Sequence, residues 1–304
     1  MKRGAWLQER ERGNLFVIRL SVRLARILGR RGMRPIVALV ALFYWAFDRR
    51  ARRASRAWLQ RIHGAPVSAW RVYRHLRKFT QVTCDRFFLA TGNFGPFEIV
   101  RHGSEHFQGL MRRGQGAVLL GAHLGSYEAM RASSAAERIQ VKVLGYFENA
   151  QAINALLSEL DPRGAAELIH IGADPMNATL RAQAAVARGE FVAIHVDRVG
   201  LSSSTIAVPF LGQRAHFPTG PFLLAALLRA PVYTVFGLYH EPNRYELFCE
   251  PFAQRLDIPR KERGAALERI VQQYVAVLER RCREAPDNWF NFFDFWEEPG
   301  EEPG

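Results

Sequence analysis

The residues best suited to chemistry in this chain are His123 and Glu128, in the run Gly121-Ala-His-Leu-Gly-Ser-Tyr-Glu128. A neutral imidazole is a base suited to pH 7. It can take the proton of a hydroxyl as the oxygen attacks. A carboxylate on its other nitrogen would fix the tautomer and stabilise the imidazolium that forms. Five residues of regular helix turn roughly 500°, leaving two side chains about 140° apart, so one helix face cannot carry the pair. His123 is therefore expected in a strand-to-helix turn, with Ser126 as N-cap. Glu128 would reach back from the first turn, where the helix dipole favours negative charge. Gly121 and Gly125 would let substrate approach the backbone, and helix N-terminal N–H groups would face a developing oxyanion. No Ser or Cys nucleophile is required, and Ser202-Ser203-Ser204 lacks the flanking glycines of a nucleophile elbow.

The elements around the pair must hold it at a strand end. Ala117–Leu120 is a short buried strand directly before it. Val141–Tyr146, Phe191–Val196 and Val232–Leu238 read as further strands, and Tyr245–Cys249 as an added one. Helices are expected near Ala150–Leu160, over Ala178–Arg188 with Gly189 ending it, over Pro221–Arg229, and over the amphipathic stretch Arg260–Arg283. This alternation predicts an α/β fold, a layered and largely parallel sheet with flanking helices. Sites in such sheets lie at the carboxyl ends of the strands, where His123 falls.

The first 90 residues differ from the rest. Residues 1–80 carry 20 Lys and Arg against 3 Asp and Glu, and the other 224 carry 22 against 26. The excess fits an anionic partner: a membrane, a nucleic acid or an acidic carrier protein. Asn14–Arg31 reads as an arginine-studded helix, punctuated by Gly29 and Gly32. Pro35–Phe47 is a run of thirteen uncharged residues, ending at Tyr44-Trp45 and the cluster Asp48–Arg53. A bilayer-spanning helix needs about 20 residues. The run therefore suits a shallow anchor with its aromatic and cationic end at the headgroups. Residues 1–90 are expected to be a basic, hydrophobic, helical membrane-associating arm, with Val67–Ala90 a further helix, and 91–304 the catalytic domain. No nucleic-acid motif is present. Cys84, Cys249 and Cys282 suggest neither disulfides nor a metal site. His102 and His106 have helical spacing without a third ligand, and His195 and Asp197 alternate on a strand, so no metal or other cofactor is expected.

Strand, then Gly-Ala-His123-Leu-Gly-Ser-Tyr-Glu128, resembles the His-x4-Asp/Glu motif of the bacterial lipid A biosynthesis acyltransferases, the late lauroyl and myristoyl transferases of the lysophospholipid acyltransferase superfamily. His195-Val-Asp197-Arg198 with Val208-Pro-Phe-Leu-Gly212 is similar to the family's second conserved region. Pro218-Thr219-Gly220 with the following helix is similar to its third. The resemblance implies a glycerol-3-phosphate acyltransferase-like fold at the cytoplasmic face of the bacterial inner membrane. It implies an acyl donor on acyl carrier protein or coenzyme A, and a hydroxyl or amine acceptor on a membrane lipid or glycolipid. It implies His123 as base with Glu128 as partner, and substrate contacts from Gly121, Gly125, Ser126, Asp197, Arg198, Thr219 and Gly220. A guanidinium such as Arg198 can hold phosphate or an oxyanion, or simply pair at the surface. The family's Asn-Trp-Glu stands here as Ser126-Tyr127-Glu128, and the aromatic terminus Trp289–Trp296 lacks the family's basic residues. The acceptor therefore stays open between lipid A and an aryl polyene, pigment or ornithine lipid. Two other classes stay open as well, a lipid hydrolase using the same pair on water and a non-catalytic membrane-binding protein. The six aromatics in Trp289–Trp296 suit either a core cap or a membrane interface, and core packing is expected.

Overall fold

A computed structural model describes residues 15–145, 168–171, 174–198 and 204–296. The expected helix near Ala150–Leu160, Tyr146, Ser202, Ser203 and the acidic tail from Glu297 lie outside the described residues.

Three helices come first: α1 (Leu15–Phe47), α2 (Arg49–His63) and α3 (Ala69–Ala90). The break expected at Gly29 is a kink, with Gly29 at φ 63°. The helix then runs on through Pro35. Asp48 caps α2, accepting from the Ala51 amide, and Ser68 caps α3, accepting from that of Arg71. Among the described residues no helix is long and apolar enough to cross a membrane.

The rest alternates, in chain order: β1 (Glu98–His102), α4 (Ser104–Arg112), β2 (Ala117–Gly121), α5 (Tyr127–Ala136), β3 (Val141–Gly145), β4 (Leu168–His170), α6 (Pro175–Ala187), β5 (Phe191–His195), β6 (Thr205–Phe210), β7 (Gln213–Pro218), α7 (Gly220–Leu228), β8 (Val232–His240), β9 (Arg244–Ala253) and α8 (Arg263–Glu284). Seven strands form one sheet in the order β1-β9-β8-β2-β5-β3-β4. Every pair is parallel except β8–β9. The mixed α/β, mostly parallel sheet is as the alternation predicts. The β6–β7 hairpin was not anticipated. Its turn is Leu211-Gly212, both at positive φ, as a two-residue hairpin loop requires.

The central strand β2 is buried along its whole length, as a parallel strand covered on both faces must be. One face packs with α2, α7, α8, the hairpin and the C-terminal aromatics into the main core. Trp289 is 1% exposed and stacks on Trp58 at 5.0 Å between ring centroids, so the aromatic terminus does fill the core. Buried His75 of α3 joins α2 to that terminus, with Nδ1 2.9 Å from Ser55 Oγ and Nε2 donating to the Trp289 carbonyl at 2.8 Å. The other face is covered by α4 and α5.

Candidate active site

His123 leaves the end of β2 in a short loop, and α5 begins at Tyr127. Ser126 is the N-cap, its hydroxyl accepting from the Ala129 amide at 3.1 Å. The strand-to-helix turn is therefore formed as its residues predict. Gly125 sits at φ +77°, and a Cβ there would stand 1.9 Å from the Gly237 carbonyl oxygen. The close approach of the loop to β8 therefore requires glycine here.

The carboxylate on His123 is Asp197, not Glu128. His123 Nδ1 lies 2.9 Å from Asp197 Oδ1, and the His123 backbone N–H donates to Oδ2 at 2.8 Å. Asn291 Nδ2 donates to the same Oδ2 at 2.7 Å. Arg198 Nε donates to Asn291 Oδ1 at 2.9 Å, which aims the amide. Glu128 is turned the other way. Its Oε1 accepts from Arg131 Nε at 2.7 Å, one helical turn on, and Arg86 of α3 stands 3.9 Å from Oε2. Position 128 in the first turn places that side chain beside Arg131 rather than over the loop. The parallel pairing of β2 with β5 sets Gly121 opposite His195. His123 and Asp197 each follow two residues later, so sheet register delivers Asp197 to the imidazole.

This bonding fixes the chemistry of the pair. The tautomer that donates to the carboxylate carries its proton on Nδ1 and leaves the Nε2 lone pair free to accept one. Burial, reinforced by the nearby Arg198 charge and opposed by Asp197, lowers the His123 pKa below its ordinary value. The ring is neutral at pH 7, yet 28% of its side chain stays open to an incoming group. Asp197 is wholly enclosed, and burial alone would raise it. The His123 charge and hydrogen bond, His195 and Arg198 outweigh burial and hold it below the usual carboxylate range.

The remaining expected contacts divide. Gly121 stands at the site, its carbonyl accepting from Tyr274 Oη at 3.0 Å. Thr219 bonds the Ser204 carbonyl through both its amide and its hydroxyl, which ties the hairpin to α7. Among the described residues neither Thr219 nor Gly220 hydrogen-bonds to His123. Before the helix, the Gly125 amide donates to the Asn288 carbonyl and the Ser126 amide to that of Gly237. His102 ends β1 and His106 lies in α4, so they do not share a helix. His123, His195 and Asp197 instead come together, with one ligand atom from each within 4.8 Å of the others, close enough to hold a metal ion. Both Asp197 oxygens already accept protein donors there, which favours a hydrogen-bonded relay over metal ligation.

Asn288 and Asn291 were missed as site residues. Asn288 clamps β8 through the Tyr239 amide and carbonyl. Two asparagines three apart in an apolar segment were the available signal, because buried amides require partners.

Beside the dyad, between α4, α5 and the sheet, lies an apolar pocket of about 720 Å³, part of it open to solvent. Leu119, Met130, Ala193, Val235 and Leu247 line it. It reaches Gly121, Tyr127 and His195 at the end nearest His123, and Arg101 and Glu137 elsewhere on its wall.

A basic imidazole held by a buried carboxylate at the ends of parallel strands, beside an apolar pocket, defines a group-transfer or hydrolytic enzyme for lipid-like substrates. Residues 9–298 match the family described as bacterial lipid A biosynthesis acyltransferase, and the chain belongs to that family. It is thus an enzyme that transfers acyl groups. No curated protein matches the chain.

Proposed function

We propose that this chain moves an acyl group from a thioester of acyl carrier protein or coenzyme A to a hydroxyl or amine of a membrane glycolipid, as in lipid A acylation. The observation that carries this reading is the His123–Asp197 pair beside the apolar pocket. A pocket with that apolar lining suits an alkyl chain. With the chain inside, the thioester stands by His123. Nε2 takes the acceptor's proton as its oxygen attacks the carbonyl carbon, and Asp197 stabilises the imidazolium. The C–S bond then breaks, and the thiolate recovers the proton. In this reading Glu128 holds Arg131 in the pocket wall and is not the partner of the base. An aryl polyene, pigment or ornithine lipid acceptor would use the same centre.

The enzyme would work at the cytoplasmic face of the inner membrane. Leu39, Phe43 and Phe47 follow one another at helical spacing on α1 and are 67%, 58% and 74% exposed. Arg49, Arg53 and Arg56 come next, exposed on α2. An apolar stripe beside cations suits insertion among anionic headgroups. Changing Leu39, Phe43 and Phe47 to Ser should release the chain from anionic vesicles. Retention of full vesicle binding would remove α1 from the proposal.

Mass spectrometry of membrane lipids from cells with and without the protein tests the reaction, identifying acceptor and chain together. The reading requires an acylated lipid that disappears with the gene and is not restored by His123→Ala. Free fatty acid as the sole product in vitro would make the protein a hydrolase.

A further inference from the structure

His195 has no role in the base pair, yet it stands at the junction of the pocket and the reaction centre. Alternation along β5 sends Phe191, Ala193 and His195 to the pocket face, and Phe191 and Ala193 lie in the cluster below it. Opposite in register is Gly121, whose missing side chain leaves room for the ring. A Cβ at Gly121 would come within 3.3 Å of His195 Cδ2. The His195 ring is edge-on to His123, with centroids 4.5 Å apart, and Tyr127 stands over it at 5.6 Å. One ring nitrogen of each histidine lies within 4.8 Å of the other and of an Asp197 oxygen. An acyl chain lying in the pocket with its carbonyl carbon at His123 must pass this ring.

The carbonyl oxygen of that acyl group needs a donor as it gains charge. Four amides around the base are engaged elsewhere: His123 N–H with Asp197, Gly125 with Asn288, Ser126 with Gly237 and Ala129 with Ser126 Oγ. His195 is different. Among the described residues, neither of its ring nitrogens has a hydrogen bond. A neutral imidazole always carries one N–H donor. Burial, helped by the charges of His123 and Arg198, lowers the His195 pKa to about 3, so it donates a hydrogen bond and not a proton.

We infer that His195 is a catalytic hydrogen-bond donor to the carbonyl oxygen of the acyl thioester, a role that rests on the acyl-transfer reading above. As the acceptor oxygen bonds to the carbonyl carbon, its proton passes to His123 Nε2. The C=O electron pair moves onto the carbonyl oxygen, which accepts from the His195 N–H. Return of that pair re-forms C=O and expels the thiolate, which is protonated from His123. His195 gains and loses no proton.

The test uses the full chain with lauroyl thioesters of coenzyme A and of acyl carrier protein, and a hydroxyl-bearing lipid A precursor as acceptor. S-dodecyl-coenzyme A, a thioether without the carbonyl oxygen, reports binding. Removing one oxyanion donor costs about 10²-fold in kcat. His195→Ala should show that loss, with KM for the thioester and inhibition by the thioether changed less than about threefold. His195→Asn or His195→Gln, which retain an N–H near one or other ring nitrogen, should recover about tenfold of the loss. Three results would overturn the assignment: kcat of His195→Ala within about threefold of wild type, equal losses in all three variants, or loss of thioether inhibition in His195→Ala, which would make His195 a pocket wall only. A wild-type chain that acylates nothing from either donor would instead sink the acyl-transfer reading itself.

Discussion

The helical layer and the strand ends each bury an aspartate with a nitrogen partner at 2.9 Å, and the two are built for opposite ends. Asp85 of α3 meets Arg30 of α1, just past the Gly29 kink, through both carboxylate oxygens at 2.9 Å. Tyr245 and Gln81 donate to the same carboxylate, at 2.8 and 2.7 Å. Arg30 also reaches the Pro242 carbonyl at 2.7 Å. Arg30 is 4% exposed and Asp85 0%. Arginine does not lose its proton near neutrality, so the partner of Asp85 is a permanent cation. Asp197 is as deeply buried, but its partner His123 is an imidazole, which can take up and release a proton, and it keeps more than a quarter of its side chain open. The contrast teaches that a buried carboxylate becomes chemical machinery when its partner can take up a proton and can be reached. Sealed against a permanent cation, the same group only fastens two elements.

That contrast can be broken at either end. Replacing His123 by Ala should lower the acyl-transfer rate by about 10⁴-fold, the upper range for a general base, while leaving the melting temperature nearly unchanged. A rate within tenfold of wild type would remove His123 from the chemistry. Replacing Arg30 by Met leaves Asp85 buried and unpaired, which should cost about 3–5 kcal/mol of stability in denaturant titration. The paired change Arg30→Met with Asp85→Leu should recover most of that loss, because a well-packed apolar pair can replace a buried ion pair. A double variant as unstable as the single one would show that the cluster does more than fasten α1 to α3.

Asp197→Asn should reduce kcat by about 10²–10³-fold, within the range of a lost general-base partner. It also tests the sign of the electrostatics. Activity requires neutral His123, so the rate rises with pH through the His123 pKa, which burial sets below the ordinary value. The Asp197 charge favours the protonated ring. Its removal should therefore move the inflection to lower pH and lower the plateau, and an inflection moving upward would refute the pairing. The smallest effect is expected at Asn291→Ala, about tenfold in kcat with little change in KM, because it aims Asp197 without touching the base. Glu128→Gln should fall below Asp197→Asn in severity, and the reverse order would restore Glu128 as the partner of the base.

Much of this architecture was legible beforehand. The alternation after residue 96 reads correctly because buried parallel strands are short apolar runs and the helices between them carry a 3.6-residue period. Ser126 announces its helix because a side-chain oxygen at that position satisfies an otherwise unbonded amide. Other features were not legible. The hairpin turn at Leu211-Gly212 is not announced by its flanks, because Val208-Pro-Phe210 lacks clean alternation. The need for glycine at 125 comes from the β8 backbone at Gly237, more than a hundred residues away. The asparagines of the C-terminal segment were hidden among aromatics whose burial was itself expected.

The sequence by itself determined where His123 stands. His123 follows a buried strand and precedes a capped helix, and both are local consequences of side-chain pattern and hydrogen-bond supply. It also determined that the positive charge belongs to the first 80 residues. Only the tertiary structure decided which carboxylate bonds that imidazole. Glu128 is five residues away and faces Arg131, while Asp197 is 74 residues away and arrives through the register of β2 against β5. Hydrogen-bonded strand pairing fixes positions to a fraction of an ångström across any distance in the chain, and nearness in sequence gives no such constraint on where a side chain points.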